Sequence, residues 1–347
     1  MNEIATFCQS LKKDFTPHKQ DPRQPVRCWS EKDVLNGKIV NAYVIILRTR
    51  GCSWAQSSGC TMCGYFNDSM FIDVSEKDLQ SQFEKAMQNY RDEKIVKLFT
   101  SGSYLDPYEI SIPMQNEILS ILTERVEKIS VESRPDYITE KRLTAIQKIV
   151  ALKEFEVGIG LETSSDLVRE KTINKGFTFD DYKKATRLLK KHKMYVKTYI
   201  LMKPLFLTEK ESLDDCIRTL KDITSYTDLV SLNPTNVQRH TVVEYLWKRN
   251  QYRPPWLWSI VEFLQLSKNI TDTFVKCDVV GGGSTRGPHN CGSCDNNVLK
   301  AIEEFSLTQK QTVFQGLTCD CKEKWHDQLD LENLSFGSLI DFSRWNP

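Results

Sequence analysis

Three cysteines stand in the stretch RGCSWAQSSGCTMCGY, which covers residues 50–65. Seven residues separate Cys52 from Cys60, and two separate Cys60 from Cys63. The stretch follows the apolar run 42–47, which is rich in β-branched residues, as buried strands are. We therefore expect three thiols on one loop at the end of a strand. Thiolates hold iron–sulfur clusters, and three ligands leave one iron open for a cofactor. The alternatives are a zinc knuckle or cysteines that only pack.

Further apolar runs alternate with amphipathic stretches as far as residue 235. They cover residues 95–99, 128–132, 155–161, 195–201 and 228–232. Ser75, Thr139 and Thr208 precede amphipathic stretches and are predicted to be helix N-caps. Six strands alternating with helices predict a parallel sheet, and the sequence contains neither GxGxxG nor a Walker A motif. The predicted fold is α/β, a partial (βα)6 TIM-like barrel with its chemistry at the carboxyl ends of the strands.

This alternation predicts three parts of the chain. Residues 1–40 form an N-terminal extension and residues 41–240 the core barrel. Residues 241–347 form a C-terminal element, because the alternation stops there and a Pro-broken aromatic segment (252–258) and a Gly-rich loop (281–288) follow.

A second group of cysteines falls in the C-terminal element. The pattern is a C-x2-C pair followed by a C-x-C pair, formed by Cys291, Cys294, Cys319 and Cys321. Two close pairs are typical of a closed tetrahedral zinc site, so these four are predicted zinc ligands. The alternatives are an auxiliary iron–sulfur cluster, a site that uses Cys277 or His289, and chance spacing.

Composition limits the class of protein. Of 347 residues, 40% are hydrophobic and 27% charged, which excludes disordered and collagen-like chains. The net charge of +1 offers no global attraction for nucleic acid, although a local basic groove is compatible with it. No signal peptide and no apolar run of membrane-spanning length is visible, so we expect a cytoplasmic protein without a membrane partner. Eleven cysteines at short spacings favour metal ligation over disulfides in such a protein.

A three-cysteine loop after the first strand of such a barrel resembles the radical S-adenosylmethionine (SAM) superfamily. The usual spacing there is C-x3-C-x2-C, and the first gap is longer here. The resemblance implies that Cys52, Cys60 and Cys63 hold a [4Fe-4S] cluster. It also implies that SAM binds the open iron and is cleaved to methionine and a 5′-deoxyadenosyl radical.

The resemblance further implies contacts to SAM at the ends of successive strands. Thr100-Ser-Gly-Ser103 stands where the family binds the SAM amino group, and the other positions match family segments in the same order. The implied SAM-binding residues are Ser101, Gly102, Glu132, Glu162 and Lys175. At the fifth strand the relatives carry an acid, whereas this chain has Tyr199.

Along its whole length the chain resembles the radical SAM subunits of archaeosine synthases. The segments that carry this likeness are 48–54, 59–65, 231–239, 243–249 and 252–258. The resemblance implies a lyase that acts on tRNA whose D-loop 7-cyano-7-deazaguanine carries a lysine through its ε-nitrogen. Abstraction of hydrogen from the lysine ε-carbon, loss of an electron and hydrolysis of the imine would leave archaeosine and an aminoadipate semialdehyde.

Substrate contacts and partners follow from the same resemblance. Gln238 and Arg239 are expected at the substrate end, Arg239 as a ligand for the lysine carboxylate, and Trp258 is expected to stack on the base. The partners would be tRNA, the transglycosylase-like subunit that adds the lysine, and an electron donor. Two rival hypotheses stay open: an elongator-like radical SAM enzyme for another tRNA modification, and a non-catalytic zinc module that binds RNA.

Overall fold

A computed structural model describes residues 3–13, 15, 20–70 and 72–334. One eight-stranded sheet forms its centre, and the strands lie side by side in chain order. The strands are β1 (Arg27–Leu35), β2 (Lys38–Ile46), β3 (Ile95–Phe99), β4 (Lys128–Glu132), β5 (Glu154–Glu162), β6 (Tyr195–Met202), β7 (Leu229–Pro234) and β8 (Phe274–Cys277). β1 and β2 form an antiparallel hairpin, and β2 to β8 are all parallel. The fold is therefore an α/β half-barrel, as the sequence predicts.

Helices connect the parallel strands and cover one face of the sheet. They are α1 (Glu3–Ser10), α2 (Ser53–Ser57), α3 (Glu76–Met87), α4 (Ile112–Thr123), α5 (Glu140–Val150), α6 (Asp166–Val168), α7 (Phe179–Lys191), α8 (Glu209–Ile223), α9 (Val242–Trp247), α10 (Leu257–Ser267), α11 (Asp295–Thr308) and α12 (Cys321–Leu334). The predicted N-caps Ser75, Thr139 and Thr208 are confirmed, because each side chain accepts a hydrogen bond from the backbone N–H three residues on. None of the described helices is both long and apolar enough to cross a lipid bilayer.

The two faces of the sheet differ in polarity. Side chains such as Val96, Ile129 and Val196 are fully buried and belong to one continuous apolar core with the helices. Their neighbours in sequence, such as Lys97 and Lys197, point to the opposite, concave face. The interior of the half-barrel is therefore buried but polar, which is unusual for a parallel sheet.

The six predicted strands are confirmed as β2 to β7, and two more extend the sheet. β1 reads RCWSEKDVL, and its charges hide it from a search for apolar runs. β8 has four residues and lies within the segment 241–347, where it pairs with β7. The sheet thus continues past residue 240, and the division of the chain there stays a prediction.

Asp33 joins the two edge strands of the half-barrel. Its carboxylate on β1 pairs with Lys97 on β3 and lies 3.9 Å from Nζ of Lys276 on β8. Burial opposes its ionisation, but Lys276 and Lys97 together hold the pKa of Asp33 well below its usual range. A single buried carboxylate therefore bridges the first and last strands across the open side.

Candidate active site

The three-cysteine loop lies at the carboxyl edge of the sheet, between β2 and α3. Cys52 is the residue that caps α2, and Cys60 and Cys63 follow in the turns after that helix. All three are free thiols. Burial raises the pKa of each thiol, that of Cys63 to about 12, while Lys175 and Arg134 act in the opposite direction at Cys60. Such thiols stay protonated until a metal charge replaces their protons.

The spacing of the three thiols suits a cluster better than a single ion. Within the described ranges, only the C-terminal cysteines form a group whose ligand atoms all lie within 4.8 Å of one another. The thiols of Cys52, Cys60 and Cys63 are thus too widely spaced to share one tetrahedral ion, whose sulfur ligands are about 3.8 Å apart at Zn–S bonds of ~2.3 Å. Three half-buried, unbridged thiols at wider spacing fit a multi-iron cluster.

The segment after α6 holds the cysteine loop from one side. Thr61 donates from its backbone N–H to Ile173 O at 2.9 Å. Asn174 has a left-handed backbone (φ 58°), and its side-chain amide donates to Ser58 Oγ at 2.9 Å and to Gly59 O at 2.7 Å. The indole of Trp54 in turn donates to Asn174 O at 2.8 Å. The loop between Cys52 and Cys63 is therefore fixed by backbone and side-chain bonds before any cofactor binds.

Helix α1 and the turn after it hold the same loop from the other side. Gln9 Nε2 donates to Ala55 O at 3.1 Å and to Ser58 O at 2.7 Å. Lys12 Nζ donates to Ala55 O at 2.6 Å, and its charge acts on all three cysteine thiols. This contact was not predictable from the sequence, because a lone Gln and Lys in an N-terminal extension carry no spacing pattern.

Ser101 and Gly102 follow β3, and Gly102 lies against Cys52. A Cβ on Gly102 would come within 2.6 Å of Cys52 Cα and would collide with the carboxylate of Glu109. Glu109 accepts hydrogen bonds from Ser103 N at 2.6 Å and Thr49 Oγ1 at 2.8 Å, and burial raises its pKa to about 7. Glu109 is a site residue that no sequence motif indicated.

Glu132, Glu162 and Lys175 lie at the ends of β4 and β5 and just beyond. Lys175 Nζ is 2.6 Å from Glu162 Oε1. Burial opposes the charge of Lys175, but Glu162 and then Cys60 raise its pKa. Glu132 accepts a hydrogen bond of 2.5 Å from the Tyr199 hydroxyl, and burial raises its pKa. The structure thus brings the predicted SAM-binding positions together around the cysteine loop, and their contacts to SAM stay predictions.

The three predicted substrate residues have different surroundings. Gln238 Oε1 accepts a hydrogen bond from the backbone N–H of Gly64, so it binds the cysteine loop to the loop after β7. Arg239 is exposed, and its backbone carbonyl accepts from Asn67 Nδ2 at 3.0 Å. The prediction for Trp258 is wrong: its ring is 1% exposed in the core, and its indole donates to Cys321 Sγ at 3.3 Å, so it cannot stack on a base.

The four C-terminal cysteines converge before α11 and at the start of α12. Their sulfur atoms lie 3.9 Å apart for Cys291 and Cys294, 3.6 Å for Cys291 and Cys319, and 3.6 Å for Cys294 and Cys321. Those separations match the edge of a tetrahedral S4 site of about 3.8 Å. Asn290 donates to Cys294 Sγ at 3.3 Å, a support that thiolate ligands commonly receive. The group can hold a metal ion.

Comparison with known proteins identifies the family of this chain and several similar proteins. Residues 46–223 match the family described as the Radical SAM superfamily. The archaeosine synthase subunit beta of Methanosarcina acetivorans is 43% identical over 91% of this chain and 93% of its own length. The protein of the same name from Thermococcus kodakarensis is 37% identical over 86% of this chain and 94% of its own. The structure of Elp3 from Methanocaldococcus infernus is 17% identical, with a TM-score of 0.48 over 80% of this chain and 64% of that one.

Proposed function

The chain belongs to the radical SAM superfamily and to its archaeosine synthase beta-subunit family, and on that premise we propose that it is the lyase that completes archaeosine in tRNA. The bond broken lies between the ε-carbon of a lysine and the nitrogen that stays on the 7-deazaguanine base. The observation that carries this proposal is the half-buried three-thiol loop at the carboxyl edge of a half-barrel, in a chain similar to those subunits along nearly its whole length.

Cys52, Cys60 and Cys63 would hold the [4Fe-4S] cluster, which together with SAM supplies a 5′-deoxyadenosyl radical. The chain's own residues position these groups. Ser101 and Gly102 offer a strand-end loop against Cys52, and the Glu162–Lys175 pair lies beside Cys60. The buried polar interior behind them keeps bulk water from a reactive carbon while offering fixed hydrogen-bonding groups.

The proposed reaction removes one hydrogen atom from the lysine ε-carbon. A further electron, which the cluster oxidised by SAM cleavage would accept, and the N–H proton then leave to give an imine, whose carbon is attacked by water. The C–N bond then breaks, the nitrogen remains on the base as the formamidine of archaeosine, and the carbon leaves as an aldehyde. Deuterium placed on the lysine ε-carbon is expected in 5′-deoxyadenosine, and its absence there would contradict this sequence of steps.

The proposal is tested with anaerobically purified protein, dithionite and lysine-bearing tRNA. We expect 5′-deoxyadenosine and archaeosine to form together, and both to disappear in Cys60→Ala because a ligand of the cluster is lost. The matched control is Cys28→Ala, which removes a thiol of β1 outside the loop and should retain both products. SAM cleavage without archaeosine would keep the superfamily chemistry and refute the substrate.

Zinc is the metal that we propose for the C-terminal cysteines. Four thiolates at tetrahedral spacing and the absence of an open position are typical of structural zinc. Zinc with its four thiolate ligands would also explain why Cys294 and Cys321 are buried polarizable groups with N–H donors aimed at them.

Three partners complete the proposed function. They are the tRNA, the transglycosylase-like subunit that attaches lysine to the base, and a one-electron donor. The subunit names of the relatives support a complex with another chain. We place the protein in the cytoplasm, where its tRNA substrate is found.

A further inference from the structure

Lys197 is a buried cation that forms an ion pair with none of the residues that the structure describes. Four lysines are less than a tenth exposed in the described ranges: Lys97, Lys197, Lys203 and Lys276. Carboxylates lie 2.6 Å from Lys97, 2.6 Å from Lys203 and 3.4 Å from Lys276. Lys197 is 3% exposed, yet across the part of the chain that the structure describes its Nζ has neither a carboxylate within 4.0 Å nor a hydrogen bond.

The side chain of Lys197 lies inside the half-barrel below the proposed SAM site. It stands on β6 two residues before Tyr199, whose hydroxyl binds Glu132 at the end of β4. Its Nζ is 4.6 Å from the centre of the Tyr199 ring. On the neighbouring strand it is paired with Gly158, and the Tyr199 ring packs over that glycine, where a Cβ would come within 2.9 Å of it. Because a strand rises about 3.3 Å per residue, the Cα atom of Lys197 lies roughly 7 Å deeper than that of Tyr199, and its ammonium reaches back to the Tyr199 ring.

The surroundings of Lys197 oppose its charge. Burial lowers its pKa to about 8, and the ammonium groups of Lys276 and Lys97 act in the same direction. Glu156 and Asp278 compensate only in part, since Glu156 already pairs with Lys128 and Asp278 with Lys276. An unpaired buried charge is costly, so an anionic ligand would bind here with a large gain.

The proposed substrate has an anion at the required distance. A lysine attached to the base through its ε-nitrogen keeps a free α-carboxylate, and four C–C bonds separate its ε-carbon from Cα. That chain spans about 5 Å when extended, given bonds of ~1.5 Å. An ε-carbon held at the strand ends therefore places the carboxylate about one layer of side chains deeper, at the level of Lys197.

We propose that Lys197 binds the α-carboxylate of the lysine carried by the tRNA, so that the amino acid enters the half-barrel carboxylate first. This inference rests on the proposed function. It differs from the expectation for Arg239, which is exposed on the loop after β7 and lies outside the buried interior. The contact fixes the position of the ε-carbon and gives selectivity for an amino acid over a simple amine.

The test compares two tRNAs and two proteins. One tRNA carries lysine and the other carries cadaverine (1,5-diaminopentane), which is lysine without its carboxylate. We expect the wild-type protein to bind the lysine-bearing tRNA about 10- to 100-fold more tightly, the range for a charged hydrogen bond. In Lys197→Met this preference should vanish, and affinity for the cadaverine-bearing tRNA should stay unchanged. Binding is measured with SAM but without reductant, so the readout does not depend on turnover.

A matched variant separates a binding lysine from a structural one. Lys276→Met also removes a buried ammonium, but it strands Asp278 and weakens the bridge to Asp33. It should lower the melting temperature, whereas Lys197→Met should melt at or above the wild-type temperature because an unpaired buried charge is removed.

Two outcomes would overturn the inference. One is a Lys197→Met protein that still prefers the lysine-bearing tRNA. The other is weakened SAM binding with the preference intact, which would assign Lys197 to the carboxylate of SAM. A wild-type protein that binds the lysine-bearing tRNA preferentially but forms no archaeosine would refute the proposed reaction and leave the carboxylate contact standing.

Discussion

At the scale of single residues, tight packing constrains the candidate site as much as charge does. Gly102 brings the loop after β3 against Cys52 and Glu109 with no room for a methyl group. The same three residues join β3, the cysteine loop and the buried carboxylate into one packed unit. A substitution at Gly102, which binds no metal itself, can therefore displace Cys52, a proposed cluster ligand.

Gly102→Ala is expected to lose the cluster. The added Cβ must push away either the backbone at Cys52 or the carboxylate of Glu109, and such overpacking costs about 1–3 kcal/mol. Iron content and the visible absorbance of the anaerobically purified protein are the measurements. Ser57→Ala is the control, because Ser57 lies in the same loop but is exposed. A full complement of iron in Gly102→Ala would show that the loop can move without loss.

Site residues differ in whether the sequence alone could predict them. The cysteines of both groups were predictable because metal ligands require one residue type at short spacing. Lys197 and Glu109 were not, since a single charged residue has no pattern until the fold shows that it is buried and what surrounds it. Trp258 was assigned wrongly because an aromatic residue beside prolines fits a surface stack and a core equally well.

At the scale of elements, α1 acts as a clamp on the cysteine loop. Gln9 and Lys12 bind the carbonyls of Ala55 and Ser58, which lie between Cys52 and Cys60. The apolar side of the helix, with Cys8 buried, packs on Val237, Val242 and their neighbours after β7. The N-terminal extension thus ties the cysteine loop to the far side of the barrel mouth.

We expect the double variant Gln9→Ala, Lys12→Met to assemble a cluster that decays faster in air. Three hydrogen bonds of about 0.5–1.5 kcal/mol each are lost, so an opening of the loop should become at least roughly tenfold more frequent. The decay of visible absorbance after exposure to oxygen measures this. Lys13→Ala, an exposed neighbour in the same turn, should behave as the wild type. Equal decay rates in all three proteins would mean that α1 does not restrain the loop.

Whether an element was predictable depended on its polarity. The strands β2 to β7 showed apolar runs because one of their faces packs on helices. β1 and β8 carry Glu31, Asp33 and Lys276 on the concave side, and β8 is four residues long. Such charges are typical of loops in a sequence, although in the fold Asp33 approaches Lys276 across the open side of the half-barrel and Glu31 pairs with Lys97 on β3.

At the scale of the whole molecule, the C-terminal segment is joined to the barrel by a common core. Trp258 of α10 and Trp325 of α12 are both almost fully buried in the cluster that also contains the outer faces of β2 to β8. Cys294 and Cys321 belong to the same cluster. A metal held by these cysteines therefore fastens α11 and α12 to the main core.

With zinc as the proposed metal, we expect Cys294→Ser to lower the zinc content below one atom per chain and to lower Tm. A fall of roughly 5 °C or more is expected, because each kcal/mol corresponds to about 2–4 °C in large domains. Elemental analysis and calorimetry are the measurements, with Cys28→Ala as a control that should keep its zinc. Iron in place of zinc at these cysteines would contradict the assignment of the metal, and an unchanged Tm would contradict its structural role.

The order of the strands has a consequence for biosynthesis. Since each strand pairs with the next one in the chain, the sheet can grow as the polypeptide leaves the ribosome, with the β1–β2 hairpin and then one helical crossover to close at every step. The cysteine loop is made early, but Asn174 and Gln238, which hold it, are synthesised much later. Until Asn174 and Gln238 have been synthesised, the loop of Cys52, Cys60 and Cys63 lacks the hydrogen bonds that hold it. Metal delivered to the nascent chain would therefore find the binding site incomplete. We therefore expect the cluster to be inserted after translation is complete.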